Sequence, residues 1–327
     1  MRRFPLAIGL LAALFSLPSC VSSMYTSRIE ARYPPSGEFV THEDARLHVI
    51  SKGEGQPVLL VHGASANARE FTFTLAPEFE AGQFELLMAD RPGHGYSEQT
   101  DNSHSLAAQA KAMSAIVAAK TDQPVVVVGH SFGGAVALRF ALDYPEATKA
   151  VVLSAPVTHD WGGGGMTWYN QIASIPLIGH AFSQFAPLVG PSAARSSLDN
   201  LFHPAPVPEG YAENLGVDLL FRPAAFRANA KDVLRLQAEI GAQQTRYATE
   251  LNLPIIVFSG SQDTVIKPEL HVARLKRELP AHVIVVKLDD EGHMPHHRKA
   301  GLMAETISRL ARGESVQTSD FENSETG

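Results

Sequence analysis

The chain has 327 residues, 45% of them hydrophobic and 19% charged, a composition that describes a globular protein with a core and excludes disorder over most of its length. Thirty-four acidic against 27 basic residues give a net charge of −7, and no Lys/Arg run exceeds a dipeptide, so the basic footprint that a nucleic-acid partner requires is missing. A single Cys rules out an internal disulfide and a thiolate metal cluster.

At the amino end, Arg2 and Arg3 precede an apolar run over 6–17 and then Leu17-Pro18-Ser19-Cys20. A basic start followed by about a dozen apolar residues reads as a secretory signal over 1–19, too short to span a bilayer that needs about 20. The stretch resembles a bacterial lipobox, with Leu three places before the Cys and Ser just before it; Pro18 departs from the usual pattern. That resemblance implies an acylated Cys20 and an exported protein held at a membrane surface of the cell envelope. Val21, standing where Asp would signal inner-membrane retention, favours the outer membrane. A free Cys behind an ordinary signal, leaving a periplasmic protein, or an uncleaved anchor is the plainer alternative. Residues 20–37, with Ser22, Ser23, Ser27, Pro34, Pro35 and Ser36, read as a tether.

From residue 38 onward short aliphatic runs alternate with segments of helical spacing, the pattern of a mostly parallel sheet with crossover helices, so the fold class is α/β. In chain order the predicted strands are 38–40, 46–50, 58–61, 84–89, 125–128, 150–153, 255–258 and 282–286. Predicted helices lie near 66–78, 105–119, 132–142, 268–279 and 299–312. The stretch 156–249 interrupts the alternation, with two helical patterns around 222–229 and 231–247. A structureless loop of that length is improbable, so it reads as a mainly helical lid inserted into a core of 38–155 and 250–312. The polar, acidic end over 313–327 reads as disordered.

The strongest chemical signal is Gly129-His130-Ser131-Phe132-Gly133, which follows four consecutive Val at a strand-to-helix junction. A tight turn there exposes the Ser131 hydroxyl at the positive end of the next helix, where an oxyanion is stabilised. Serine is a poor nucleophile unless an imidazole takes its proton and a carboxylate fixes that imidazole. His293, in Glu291-Gly292-His293, follows the last predicted strand; Asp263, in Ser259-Gly260-Ser261-Gln262-Asp263, follows the one before. Both are expected at the same sheet edge as Ser131, and the order Ser131, Asp263, His293 is the one this kind of sheet uses. The oxyanion donors expected are the backbone N–H groups of Phe132 and of Ala64, in His62-Gly63-Ala64-Ser65. His62 reads as a brace for that loop, and Asp90-Arg91-Pro92-Gly93-His94-Gly95-Tyr96-Ser97 as a rigid turn.

Together these motifs resemble the α/β-hydrolase fold superfamily over roughly residues 38–312. The resemblance implies an eight-stranded sheet, a lid inserted after the sixth strand, a nucleophile elbow at Ser131 and hydrolysis through an acyl-enzyme without a cofactor. Relatives with Asp at the elbow, haloalkane dehalogenases and epoxide hydrolases, are set aside by Ser131. His293, His296 and His297 cluster near Asp289, Asp290 and Glu291, yet no metal-binding helix spacing occurs, so no metal is expected and His296 and His297 read as surface residues. Trp161, Met166, Trp168, Phe182, Phe185 and Phe202 line an acyl pocket or form the lid's own core; Arg195, Arg222, Arg227 and Arg235 read as solvated lid surface. The expected activity is hydrolysis of carboxylic esters or related small acyl compounds. Carbon–carbon bond hydrolysis, cofactor-free perhydrolysis and acyl transfer to an alcohol use the same three residues, and a non-catalytic envelope lipoprotein is the reading from another class.

Overall fold

The computed structural model describes residues 4–100, 102–163 and 167–321, with side chains from Pro18 onward. Eight strands form one sheet in the order β1-β2-β4-β3-β5-β6-β7-β8: β1 (Glu38–His42), β2 (Ala45–Lys52), β3 (Gln56–Val61), β4 (Phe84–Ala89), β5 (Val125–His130), β6 (Thr148–Ser154), β7 (Ile255–Gly260) and β8 (Val283–Leu288). β2 runs antiparallel to β1 and β4, and every other pairing is parallel.

The aliphatic runs exist because both faces of this sheet are covered. Leu59, Val61, Val125, Val127, Val151 and Val257 face one cluster, packed under helices α3 (Leu106–Lys120) and α4 (Phe132–Asp143) by Met113, Ile116, Leu138 and Phe140. Their neighbours Val58, Leu60, Val126, Val128, Val152 and Ile256 point the other way, against Phe71 of α2 (Arg69–Thr72) and Met303, Ile307 and Leu310 of α13 (Ala300–Ala311). Each such side chain contributes about 1.5–3 kcal/mol on burial, which sets the register, because a one-residue slip would exchange the two faces.

Between β6 and β7 the chain leaves the sheet for six helices: α5 (Trp168–Ser174), α6 (Ile178–Ser183), α7 (Ala186–Phe202), α8 (Tyr211–Leu215), α9 (Pro223–Gln243) and α10 (Tyr247–Glu250). The two helices expected around 222–229 and 231–247 are mostly one, α9, since Ala228, Asn229 and Ala230 continue the turn and are buried. The carboxyl half of α9 sends Leu236 and Ile240 into the same cluster as Leu138. Two more helices, α11 (Val272–Glu278) and α12 (Pro295–Arg298), flank the last strand.

The helix expected near 66–78 is only α2 and a 3-10 turn at Ala76–Glu78, and the two ends of the chain also differ from expectation. Residues 20–32 are not a loose tether: they belong to α1 (Phe4–Arg32), whose Tyr25 and Ile29, with Tyr33 just past its end, are spaced by four and meet Leu219 of the lid. Tyr25 Oη donates to the Asp218 carbonyl at 3.0 Å, and Glu30 pairs with Arg222 at 2.8 Å. The acidic end is ordered as far as Phe321, which packs edge-on to Phe258 while Asp320 pairs with Arg309 at 3.0 Å. The rest of that expected disorder, 322–327, lies outside the described residues, as does Met166.

Candidate active site

The elbow follows from steric necessity. Ser131 has φ 52° and ψ −116°, a strained conformation for a non-glycine residue, and it is held by its N–H to the Ser154 carbonyl at 3.0 Å and by its own carbonyl, which accepts from Gly134 and Val157. A Cβ at Gly129 would overlap the Gly133 carbonyl, so the strand and helix can cross only with glycine there. Ser131 stands at the N-cap of α4, and Phe132 is the first residue of that helix, where an N–H has no intrahelical acceptor. A Cβ at Gly63 would lie 3.2 Å from Ser131 Cβ, which shows how closely the loop after β3 backs onto the elbow. Among the described residues neither Ala64 N–H nor Phe132 N–H is engaged elsewhere in the protein.

Asp263 and His293 come together because the loops after β7 and β8 touch backbone to backbone. A Cβ at Gly260 would collide with the carbonyls of Glu291 and Gly292, and Gln262 N–H donates to the Glu291 carbonyl at 2.9 Å. His293 Nδ1 lies 2.8 Å from Asp263 Oδ2. The other carboxylate oxygen accepts the N–H groups of Val265 at 2.8 Å and Ile266 at 2.9 Å, so the acid is fixed from both sides. Both residues are buried. The link to the elbow runs through His130, whose Nε2–H donates to the His293 carbonyl at 3.0 Å and whose ring lies 5.0 Å from that of His293. Burial holds His130 neutral, its pKa far below the usual value. Among the described residues the Ser131 hydroxyl makes no hydrogen bond to the His293 imidazole. Such contacts tighten when substrate enters.

The loop that carries Ala64 is held by a buried network. Arg91 is fully buried; its Nε donates to the His62 carbonyl at 3.2 Å, one terminal nitrogen to the Gly63 carbonyl at 3.1 Å, and the other to Asp232 of α9 at 2.7 Å. Its guanidinium also stacks 4.2 Å from the Phe132 ring centroid. His62 spends both ring nitrogens, Nδ1–H on the Gly63 carbonyl and Nε2 on the Arg91 N–H, so it braces the loop and has no nitrogen left for proton transfer. Ser65, at φ 61°, gives its N–H to Asn229 Oδ1 at 2.7 Å. Burial opposes the charge on Asp232, but the hydrogen bond from His104 and the Arg91 charge outweigh it and hold the carboxyl below its ordinary range. His94 and Ser97 are structural here: Ser97 Oγ donates to the Asp90 carbonyl at 2.7 Å, and His94 sits beside Arg91.

His296 and His297 are not surface residues. Both direct Nε2 at Glu70 Oε1, at 3.1 and 2.6 Å, while Tyr211 of α8 donates to Oε2 at 3.0 Å. Burial works against ionisation of Glu70, yet the hydrogen bonds from the two imidazoles hold its carboxyl well below the usual range; burial pushes His296 down to about 4. These three residues form the one group among the described residues whose ligand atoms could converge on a cation, and each of those atoms already has a protein partner. Of the lid residues expected at a pocket or in solvent, Phe202 packs against Tyr211 and His297, and Arg222 is paired rather than solvated. Trp168 is exposed.

A family model described as alpha/beta hydrolase fold matches residues 56–300. The chain belongs to that family. It is 26% identical over 252 residues to Lipase 3 of Moraxella sp., spanning 74% of this chain and 72% of that one. Over 132 residues it is 32% identical to 2-hydroxy-6-oxo-6-phenylhexa-2,4-dienoate hydrolase of Burkholderia cepacia, 39% of this chain and 44% of that one. Among solved structures, an esterase from Exiguobacterium antarcticum superposes with a TM-score of 0.68 at 19% identity, covering 84% of this chain and 99% of that one. At that identity the likeness speaks for the fold alone, an eight-stranded, mostly parallel sheet flanked by helices.

Proposed function

We propose that this hydrolase cleaves carboxylic esters or closely related acyl compounds through an acyl-enzyme on Ser131. The observation that carries the reading is the contact of His293 Nδ1 with Asp263 Oδ2, 2.8 Å apart, at the same rim as the strained Ser131 elbow. Asp263 fixes the imidazole with Nδ1 protonated, which turns Nε2 toward the serine as the base. Ser131 Oγ attacks the carbonyl carbon as Nε2 takes its proton; the carbonyl oxygen gains charge and is held by the N–H groups of Phe132 and Ala64. His293 returns the proton to the leaving alcohol. Water, activated by the same nitrogen, then releases the acid and frees Ser131. The chemistry requires no cofactor.

A fluorophosphonate probe, followed by peptide mapping, tests this: label on the peptide containing Ser131, together with p-nitrophenyl ester hydrolysis lost by at least about a thousandfold in Ser131→Ala, is the expected result. Folded protein that neither labels nor hydrolyses would return the chain to a non-catalytic binding role. The segment shared with the Burkholderia carbon–carbon hydrolase supports a second reading, which a vinylogous diketone substrate separates from the first.

The same proposal places the protein in the cell envelope, anchored through an acyl chain on the exposed Cys20. Incorporation of labelled palmitate that persists in Cys20→Ala would rule that anchor out.

A further inference from the structure

We propose that the outer face of the lid, α5, α6 and the first turns of α7 with the adjoining part of α1, docks on an anionic phospholipid surface, and that the acyl substrate is drawn from that surface.

Three observations converge on it. Ten of the thirteen exposed large apolar side chains among the described residues belong to α1 or to the stretch from α5 to α7, Trp168, Ile178, Leu188, Val189 and Met24 among them. A concentration of that kind marks an interface rather than ordinary surface scatter. Leu177, between α5 and α6, is 83% exposed at φ 64° and ψ −52°, so a strained backbone holds an apolar side chain out in solvent.

Charge follows the same boundary. Residues 20–29 and 161–198 contain two Arg and no Asp or Glu, which leaves −11 on the rest of residues 20–327. Two acid-free stretches far apart in sequence are brought side by side: the Ser22 hydroxyl of α1 donates to Gln184 Oε1 of the lid at 2.5 Å. An acidic protein that clears carboxylates from one face can bring that face to a negative surface without repulsion. The occupant is a bilayer rather than a protein because the exposed Cys20, to which the acyl anchor proposed above is attached, stands on the same stretch of α1 as Val21 and Met24 and brings this face to the membrane surface. Apolar side chains on such a face enter the headgroup boundary by roughly 5–10 Å.

The substrate clause rests on the ester-hydrolase reading; the docking clause does not, and the two are tested separately. In full-length protein carrying Trp161→Phe, Trp168 is the sole Trp. Mixed phosphatidylglycerol and phosphatidylcholine vesicles with brominated acyl chains should quench its emission roughly twofold and shift it to the blue, as burial at the acyl boundary requires. Vesicles that float with the protein while Trp168 emission is unchanged would assign the binding to α1 alone and overturn the proposal, as would failure to float. The double variant Leu177→Asp/Val189→Asp should hydrolyse a soluble short-chain ester at the parental rate and a vesicle-borne ester about tenfold more slowly, the loss of one well-buried apolar contact or more. Equal rates on both substrates, relative to the parent, would overturn the substrate clause. Quenching without hydrolysis of any ester would leave the docking in place and remove the ester-hydrolase reading.

Discussion

Helices α8 and α9 turn buried polar groups toward the loops of the sheet, whereas α5, α6 and the start of α7 turn apolar groups toward solvent. The inner half of the lid holds the site from above: Asp232 pairs with Arg91, Asn229 holds Ser65, and Tyr211 reaches Glu70. The outer half makes few such ties, and its Trp168 remains 66% exposed. One insertion therefore presents two different faces. Its inner helices hold the loop beside the elbow, because Asp232 of α9 pairs with Arg91 and the carbonyls that Arg91 captures are those of His62 and Gly63, the two residues just before Ala64. Under the mechanism proposed above that loop supplies the Ala64 N–H to the oxyanion, so its rigidity bears on the barrier.

The largest effect expected from this division is at Asp232. Truncation to Ala leaves the Arg91 guanidinium buried without its carboxylate, and a buried pair broken on one side costs about 3–5 kcal/mol. Urea unfolding should show it as a fall in midpoint with little change in slope. A loss under about 1 kcal/mol would mean that water or rearrangement reaches Arg91, and that the inner half is not the clamp its contacts describe.

Acid should act next, and on the core loops that the inner half covers. Burial pushes His94 and His296 down to about 4, and holds His62 and His130 well below the usual imidazole range. Each folded-state pKa lies beneath the unfolded one, near 6.5, so the unfolded chain binds more protons in between. Stability from these groups is complete above about pH 6.5 and is lost as the pH falls through about 4. The ionised Glu70, held well below its usual range, works in the same direction. Melting temperatures from pH 7 to 4 should fall steadily; a flat profile would show that these imidazoles are not buried neutral.

Most of the sheet, the elbow and the order of Ser131, Asp263 and His293 could be read in the sequence, because hydrophobic period and turn chemistry are local. What escaped was carried by contacts between distant residues. Nothing near Glu70 announces His296, 226 positions away, and Asp232 lies 141 positions from Arg91. A polar residue on a helix looks solvated until its partner is known. Two misreadings had signals that were present. Tyr25, Ile29 and Tyr33 recur every four residues, a helical stripe inside what composition alone made a tether. Phe321 stands as an isolated aromatic in an acidic end and fills a place beside Phe258.

A smaller effect separates positioning from packing. Asn229→Ala removes the acceptor for Ser65 N–H and one partner of the Ser65 hydroxyl, at about 1–2 kcal/mol of stability. If α9 sets the oxyanion loop, kcat for a soluble ester should fall about tenfold with KM nearly unchanged, since the donors act on charge that appears only in the transition state. Asn229→Asp, which keeps the accepting oxygen, should recover part of that rate. A rise in KM alone would make Asn229 a substrate contact instead.

The smallest effect belongs to the outer half and is informative for that reason. Leu177→Ser removes an apolar side chain that touches mostly solvent, so in the absence of lipid its unfolding free energy should stay within about 0.5 kcal/mol of the parent. Leu177→Gly should go further and stabilise by roughly 0.5–1 kcal/mol, because glycine accepts a φ of 64° at little cost where leucine is strained. A destabilised Leu177→Gly would mean that the Leu177 side chain is packed in solution. The outer half of the lid would then be folded inward, and the contrast between its two faces would disappear.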